Sequence, residues 1–172
     1  MAVVVTFAIV LLMVFLAIGS YSRLVRLRRT VLHGWRQVDV QLRRRHDVVR
    51  KLLSSIPDGS AVDPAVLDAV KSARSHAAAA AGPADVARRE RELSQALGGL
   101  YRQIEGDAQL ATNQELRLLQ EELTAVELAI HSARQAYNDL AVKYNGVIGV
   151  VPNNVIAGLG NFRPAERSLD TG

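Results

Sequence analysis

The chain opens with an unbroken apolar stretch. Residues 1–22 contain no charged side chain. A helix of that length spans about 33 Å, which matches the hydrocarbon core of a bilayer. Tyr21 stands where an interfacial aromatic residue is common, and Arg23 and Arg26 follow it as anchors. The pattern predicts a transmembrane anchor at residues 1–22.

A cleaved signal peptide is the alternative interpretation of this stretch. Residues 17–19, Ala-Ile-Gly, form a tolerable small-x-small cleavage site. However, the charged segment that begins a signal peptide is missing, and the apolar run is longer than usual. Arginines follow the run and no charge precedes it, so the positive-inside rule places the body in the cytoplasm. We therefore expect a single-pass protein of the cell membrane with a cytoplasmic C-terminal domain.

A long helical pattern continues directly from this stretch. Apolar residues recur at spacings of three, four or seven, at Val31, Trp35, Val38, Leu42, Val49, Leu52 and Ile56. We predict that the membrane helix runs on into a first long helix. The turn cluster at residues 56–59, Ile-Pro-Asp-Gly, ends it.

Two shorter helices are predicted next. Asp63 and Pro64 begin the second helix as an N-cap and a first-turn proline, and Gly82-Pro83 ends it. A third helix then runs as far as Gly106-Asp107. The pair Gly98-Gly99 inside the third helix predicts a bend or a close helix crossing.

The fourth helix has the clearest periodicity. Its apolar positions alternate spacings of three and four in a strict 3.5-residue repeat, typical of a coiled-coil seam: Leu116, Leu119, Leu123, Val126, Ile130, Ala133, Tyr137, Leu140, Tyr144 and Val147. Asn113 is its predicted cap and Pro152 its end. Residues 23–151 thus predict an all-α domain, an antiparallel bundle of roughly four helices. Residues 152–172 predict a short apolar segment and a disordered tail.

Composition and charge narrow the chemistry. The chain has no cysteine, which excludes disulfides, thiolate nucleophiles and cysteine-based metal sites. The four histidines are scattered, and no phosphate loop or other cofactor motif is present, so we expect neither a metal nor a cofactor. Residues 43–45 are three arginines. We interpret them as a solvated or headgroup-facing run rather than a nucleic-acid site.

Two stretches carry specific motifs. The first contains Trp35, Asp39, Gln41 and Arg44, within W-x-x-V-D-V-Q-L-R-R-R-x-D. The second begins with L-A-x-N at residues 110–113, continues with LQEEL at residues 119–123, and ends with the run P-N-N-V-I-A-G at residues 152–158, followed by Phe162. Its motif residues are Gln120, Glu121, Glu127, Arg134, Tyr137, Asn138, Tyr144, Asn145, Pro152, Ala157 and Gly158. Together these stretches resemble the LemA family of bacterial membrane proteins.

The resemblance implies a single-span anchor that carries an antiparallel bundle of about four helices. The family has no established catalytic activity, and one branch takes part in forming the magnetosome membrane. Residues 57–100 match the family weakly. A family glutamate–tyrosine–proline step is replaced here by Glu105-Gly106-Asp107.

The motif residues also have a physical interpretation of their own. Tyr137 and Tyr144 fall on the seam one heptad apart, and Asn138 and Asn145 follow them. This spacing suits buried rings beside hydrogen bonds that fix helix register. We expect Trp35 and Asp39, which lie one turn apart on the first helix, to contact this Tyr-Asn stripe. A structural role is favoured, and a partner-binding groove stays open.

Two functions remain. The first is a non-catalytic, membrane-anchored scaffold or adaptor of the bacterial cell envelope, with unidentified envelope partners and the capacity to self-associate. The second is a ligand-binding or enzymatic bundle with a polar pocket near Trp35, Asp39, Arg134 and Asn138. We favour the first, and therefore expect no enzymatic activity.

Overall fold

A computed structural model describes residues 1–151 and 153–168, apart from the side chain of Ala2. Within these ranges the chain forms six α-helices and no strand: α1 (Ala2–Ser54), α2 (Pro64–Ala79), α3 (Pro83–Gly106), α4 (Ala108–Ala111), α5 (Gln114–Ile148) and α6 (Asn153–Leu159). This confirms the all-α class. The four predicted helices are α1, α2, α3 and α5, while α4 and α6 are short additions.

The chain divides into two compact units, and the division falls inside the two long helices. The first unit contains Met1–Arg36 and Ala136–Arg167, which are parts of α1 and α5 together with α6. The second contains Gln37–Gln135 together with Ser168. Each unit is described separately below.

The second unit is an antiparallel bundle of α1, α2, α3 and α5. Helices α1 and α5 are antiparallel, because residues later in α1 contact residues earlier in α5. Arg44 pairs with Glu122 at 3.1 Å, and Ser55 donates to Glu115 at 2.7 Å. All four helices contribute to one apolar core, which includes Val48, Val49, Leu52, Val70, Ala77, Leu93, Leu97, Leu100, Ile104, Leu116, Leu119 and Leu123. Burial of this shared apolar surface stabilises the unit.

Capping side chains set the helix ends as the sequence predicts. The Asp63 carboxylate accepts the Ala65 N–H at 2.8 Å at the start of α2. At the start of α5, Asn113 Oδ1 accepts the N–H of Glu115 at 2.9 Å. Asp107 ends α3 and also caps the short helix α4, because its carboxylate accepts the Gln109 N–H at 2.8 Å. The sequence analysis missed α4 because four residues are too few to show a period.

Gly98 and Gly99 of α3 do not mark a close crossing, which is one of the two alternatives predicted for them. A Cβ placed on Gly98 or Gly99 would have no neighbour within 4 Å. Close approach occurs instead at Gly34 in the first unit. A Cβ there would lie 2.9 Å from Leu140 Cδ1 and 3.6 Å from Tyr137 Cα. A missing side chain at residue 34 is therefore what lets α1 and α5 approach each other.

The buried face of α5 departs from a strict 3.5-residue repeat after Ile130. Ala133, Leu140 and Val147 are only half-buried, and the buried positions shift by one residue to Arg134, Ala141 and Ile148. A straight α-helix drifts by about 20° per heptad against a 3.5-residue repeat. Over several heptads this drift approaches the rotation of one residue. One such shift at Ile130 separates two stretches of buried positions that each keep spacings of three and four.

The first unit contains the apolar beginning of α1. Residues 3–19 are all exposed, and an 18-residue window here has a mean hydropathy of 2.8. Among the described residues α1 is the one helix long and apolar enough to cross a membrane. Length and composition are what this finding rests on.

The C-terminal segment differs in part from the expectation of disorder. The predicted apolar segment forms α6, and Ala157 and Phe162 are buried. Residues 163–167 have no regular secondary structure, and Ala165 and Glu166 are held by hydrogen bonds to α5 within the first unit. Those bonds supply the order that composition alone does not indicate. Residues 169–172 and Pro152, the predicted end of the fourth helix, lie outside the described residues.

Candidate functional site

A group of buried charges lies inside the second unit. Arg45 and His46 on α1 both donate to Glu90 on α3, with Arg45 Nη1 to Glu90 Oε2 and His46 Nε2 to Glu90 Oε1 each at 2.6 Å. Arg45 is 5% exposed and Glu90 2% exposed. Buried ions are retained in proteins when they are paired and hydrogen-bonded, as these are.

Two further side chains bind the second terminal nitrogen of Arg45. Its Nη2 donates to Glu127 Oε1 on α5 at 3.0 Å and to Ser94 Oγ on α3 at 2.8 Å. Glu127 is 51% exposed, so this second ion pair reaches the surface. We call Arg45, His46, Glu90, Ser94 and Glu127 the Arg45 cluster. It ties three helices together through one guanidinium.

Each buried charge occupies a position that the apolar pattern skips. Arg45 lies between Leu42 and Val49, and Glu90 lies between Val86 and Leu93. In both cases the two apolar residues are seven positions apart. The charged residue lies three or four positions from each of them, so it shares their side of the helix and also faces the core. The local sequence therefore forms ordinary amphipathic helices and places a charge at one core position of each.

The environment of Glu90 favours its ionised form. Burial alone would raise the pKa of its carboxyl group, but the hydrogen bond from His46 and the positive charge of Arg45 outweigh burial. The pKa of Glu90 therefore lies below its ordinary value. Because this carboxylate is charged, it accepts both hydrogen bonds, and His46 Nε2 carries the donated proton.

A cavity of about 380 Å³ with both polar and apolar walls adjoins the cluster. Besides Arg45, Ser94 and Glu127, its walls are formed by Leu97, Gly98, Tyr101, Ile130, His131 and Arg134. The absence of a side chain at Gly98 contributes to this space, since a Cβ there would touch nothing. The volume suits a small polar molecule.

Tyr101 is the residue of this cavity whose pKa is clearly shifted. Burial, followed by the negative charge of Glu127, raises the pKa of its hydroxyl to about 12. It is therefore a neutral hydroxyl at physiological pH. Among residues 1–151 and 153–168, no group of three or more histidine or acidic side chains is arranged to hold a metal ion.

The Tyr-Asn stripe lies in the first unit and is mostly buried. Tyr137 packs edge-on against Trp35 with 5.1 Å between ring centroids, which confirms the predicted contact. Its hydroxyl donates to the Glu166 carbonyl at 2.6 Å. Tyr144 is 2% exposed, and burial raises the pKa of its hydroxyl.

The stripe also holds the C-terminal segment. Asn145 Nδ2 donates to the Ala165 carbonyl at 2.9 Å, and its Oδ1 accepts the Ala165 N–H at 2.8 Å. One side-chain amide thereby pairs both backbone polar groups of one residue, as a neighbouring strand would. The partner of Asn145 is a segment that was expected to be disordered, so sequence reasoning missed this bond.

The first motif is divided between the two units. Trp35 belongs to the first unit, and Asp39, Gln41 and Arg44 belong to the second. Asp39 pairs with Arg43 on its own helix at 2.8 Å. The three-arginine run is consequently not a uniform solvated face, because Arg44 pairs with Glu122 and Arg45 is buried.

The second motif is divided in the same way. Gln120, Glu121, Glu127 and Arg134 belong to the second unit, with Glu121 exposed and Arg134 buried. The remainder, Tyr137, Asn138, Tyr144, Asn145, Ala157 and Gly158, belongs to the first, where Asn138 and Ala157 are buried and Gly158 is exposed. Of the predicted polar pocket, Arg134 alone lines the cavity beside Arg45.

Comparison with protein-family models decides the relationship. The model of the LemA family matches residues 34–168, which include both motifs, the Arg45 cluster and the Tyr-Asn stripe. The chain belongs to the LemA family. The apolar beginning of α1 precedes the residues that match this LemA model. A search of curated proteins gave no match to the chain.

Proposed function

We propose that this LemA-family chain is a non-catalytic scaffold or adaptor of the bacterial cell envelope, anchored by one membrane span. One observation carries the proposal: residues 3–19 are apolar and exposed, and they belong to the same helix as the folded body. Exposed apolar side chains along such a length are stable in hydrocarbon and unfavourable in water.

The flanking charge supports a cytoplasmic body. Arg23, Arg26, Arg28 and Arg29 follow the apolar run within one to two helical turns, and no charged side chain precedes it. Positive residues next to a span are retained on the cytoplasmic side.

Two observations support a scaffold rather than an enzyme. The motif residues Tyr137 and Asn145 are engaged within the fold, where they hold the C-terminal segment. On the outer surface of α5, Leu118 and Leu128 are exposed apolar side chains. They offer contacts to envelope proteins or to a second copy, and we propose no nucleic-acid partner.

The anchoring test is carbonate extraction of the full-length protein from native membranes, followed by measurement of its intact mass. We expect the unprocessed chain in the membrane pellet. A shortened chain beginning near Ser20 in the soluble fraction would contradict the proposal.

The orientation test uses a single cysteine. Ser72→Cys places one thiol on an exposed position of α2 in a chain without native cysteine. A cytoplasmic body keeps that thiol from an impermeant maleimide added outside an intact inner membrane. Labelling under these conditions would contradict the proposed orientation.

The scaffold test uses photo-crosslinking side chains in native membranes. One is placed at Leu128, and a matched control at Glu121, which is exposed on the same helix. We expect discrete protein adducts at residue 128 that are weak at residue 121. If neither position gives a protein adduct, and a small molecule raises the melting temperature of the protein, the ligand-binding alternative would be favoured.

A further inference from the structure

Helix α6 leaves an apolar face uncovered. Val155 is 61% exposed and Leu159 is 86% exposed, and these residues lie four apart on one side of the helix. Val151, four residues before Val155, is also exposed. The opposite side of α6 packs inward through Ala157. With seven residues α6 is far too short to cross a bilayer.

The first unit places this helix beside the end of the apolar run of α1. A groove is lined by Ala17, Ile18 and Tyr21 from α1 and by Ile156, Leu159 and Gly160 from α6 and its end. Phe162 fixes the arrangement, since its ring packs edge-on against Tyr21 at 5.6 Å and Arg28 lies over it at 5.9 Å. Tyr21 and Arg28 mark where α1 changes from apolar to basic.

The charge of the first unit matches an anionic surface. Residues 1–36 and 136–167 contain eight basic side chains and two acidic ones, Asp139 and Glu166. Arg163 lies four residues after the end of α6. An apolar face bordered by arginines is typical of helices that lie in the headgroup region of anionic membranes.

We propose that α6 is an interfacial helix, whose exposed Val155 and Leu159, together with the preceding Val151, insert into the bilayer that holds α1. Such helices bury their apolar face about 5–10 Å into the boundary between headgroups and acyl chains. The occupant of this face is lipid, favoured over a protein because the groove continues the apolar surface of the span. The inference rests on the proposed anchoring by α1.

The test measures lipid contact at single cysteines in the full-length protein. The chain has no native cysteine, so Leu159→Cys and the control Asn154→Cys each give one thiol for an environment-sensitive dye. Asn154 is exposed and lies roughly opposite Leu159 around α6. A third variant, Leu11→Cys, reports on the span itself. All are reconstituted into phosphatidylcholine vesicles with and without phosphatidylglycerol.

We expect the dye at residue 159 to be quenched by acyl-chain nitroxides, and its quenching by aqueous iodide to be severalfold weaker than at residue 154. Phosphatidylglycerol should strengthen this difference. Equal iodide access at residues 159 and 154, with residue 11 still in lipid, would overturn the interfacial helix and leave the anchor intact. Iodide access at residue 11 would overturn the anchor. Protection at residue 159 that disappears when the protein is diluted with excess lipid would assign the face to a second copy.

Discussion

The buried carboxylate of Glu90 gives the sharpest prediction. Glu90→Gln keeps the shape of the side chain and removes the charge that compensates Arg45 and accepts the hydrogen bond from His46, each at 2.6 Å. Removing one partner of a buried ion pair costs about 3–5 kcal/mol, because the other charge stays buried. For a chain of this size each 1 kcal/mol lowers the melting temperature by about 2–4 °C. We therefore expect a fall of about 10 °C.

Glu127→Gln is the matched control for Glu90→Gln. It removes a carboxylate from the same guanidinium, but Glu127 is 51% exposed and solvent can replace it. Pairs open to solvent contribute about 0–1 kcal/mol. Thermal unfolding of both variants in mild detergent, followed by far-UV circular dichroism, gives the comparison. Equal melting temperatures for the two variants would refute the role assigned to burial.

The pH dependence gives an independent check. Because the pKa of Glu90 is lowered in the folded protein, its contribution is complete above its ordinary value of 4.5 and is lost as the pH falls through the folded value. The difference between wild type and Glu90→Gln should therefore be constant near neutral pH and narrow under acidic conditions. A difference that widens on acidification would contradict the lowered pKa.

Four further substitutions have expected effects on the same thermal melts. Tyr144→Ala removes a ring that is 2% exposed and should lower the stability by about 3–5 kcal/mol. Asn145→Ala removes both hydrogen bonds to Ala165 and should lower it by about 1–3 kcal/mol. Gly34→Leu places a side chain where a Cβ already lies 2.9 Å from Leu140, and should lower it by about 1–3 kcal/mol. Gly99→Ala meets open space and should raise it by about 0.5–1 kcal/mol. Unchanged melting temperatures for Tyr144→Ala and Asn145→Ala would show that the stripe is not structural, and a loss of stability in Gly99→Ala would indicate a contact at that position.

Periodicity and caps predicted the long helices because both depend on neighbours in sequence. Asp63 and Asn113 cap helices through residues two positions away, and the apolar spacing of α1 follows its own helical turn. The sequence gives a weaker indication of the Arg45 cluster. The seven-residue gaps around Arg45 and Glu90 show that a core position is filled by something other than an apolar residue.

What joins those positions is not visible in the sequence. The partner of Arg45 on α3 is 45 residues away, and that pairing depends on how the helices pack. The same holds for Asn145, whose partner Ala165 lies in a segment without regular secondary structure and without periodic apolar residues. The shift in the buried face of α5 is a third case, because a strict heptad and a straight helix differ by only about 20° per heptad.

The contact between Trp35 and Tyr137 has a practical consequence for studying the chain. Trp35 is the single tryptophan, and it belongs to the first unit, as does Tyr137 at 5.1 Å. Tryptophan emission is therefore a local reporter of that unit, whereas ellipticity averages over every helix. Denaturation curves from the two signals coincide only when both units unfold in one cooperative step. Two curves with different midpoints would show, without any added probe, that the first unit unfolds independently of the rest of the chain.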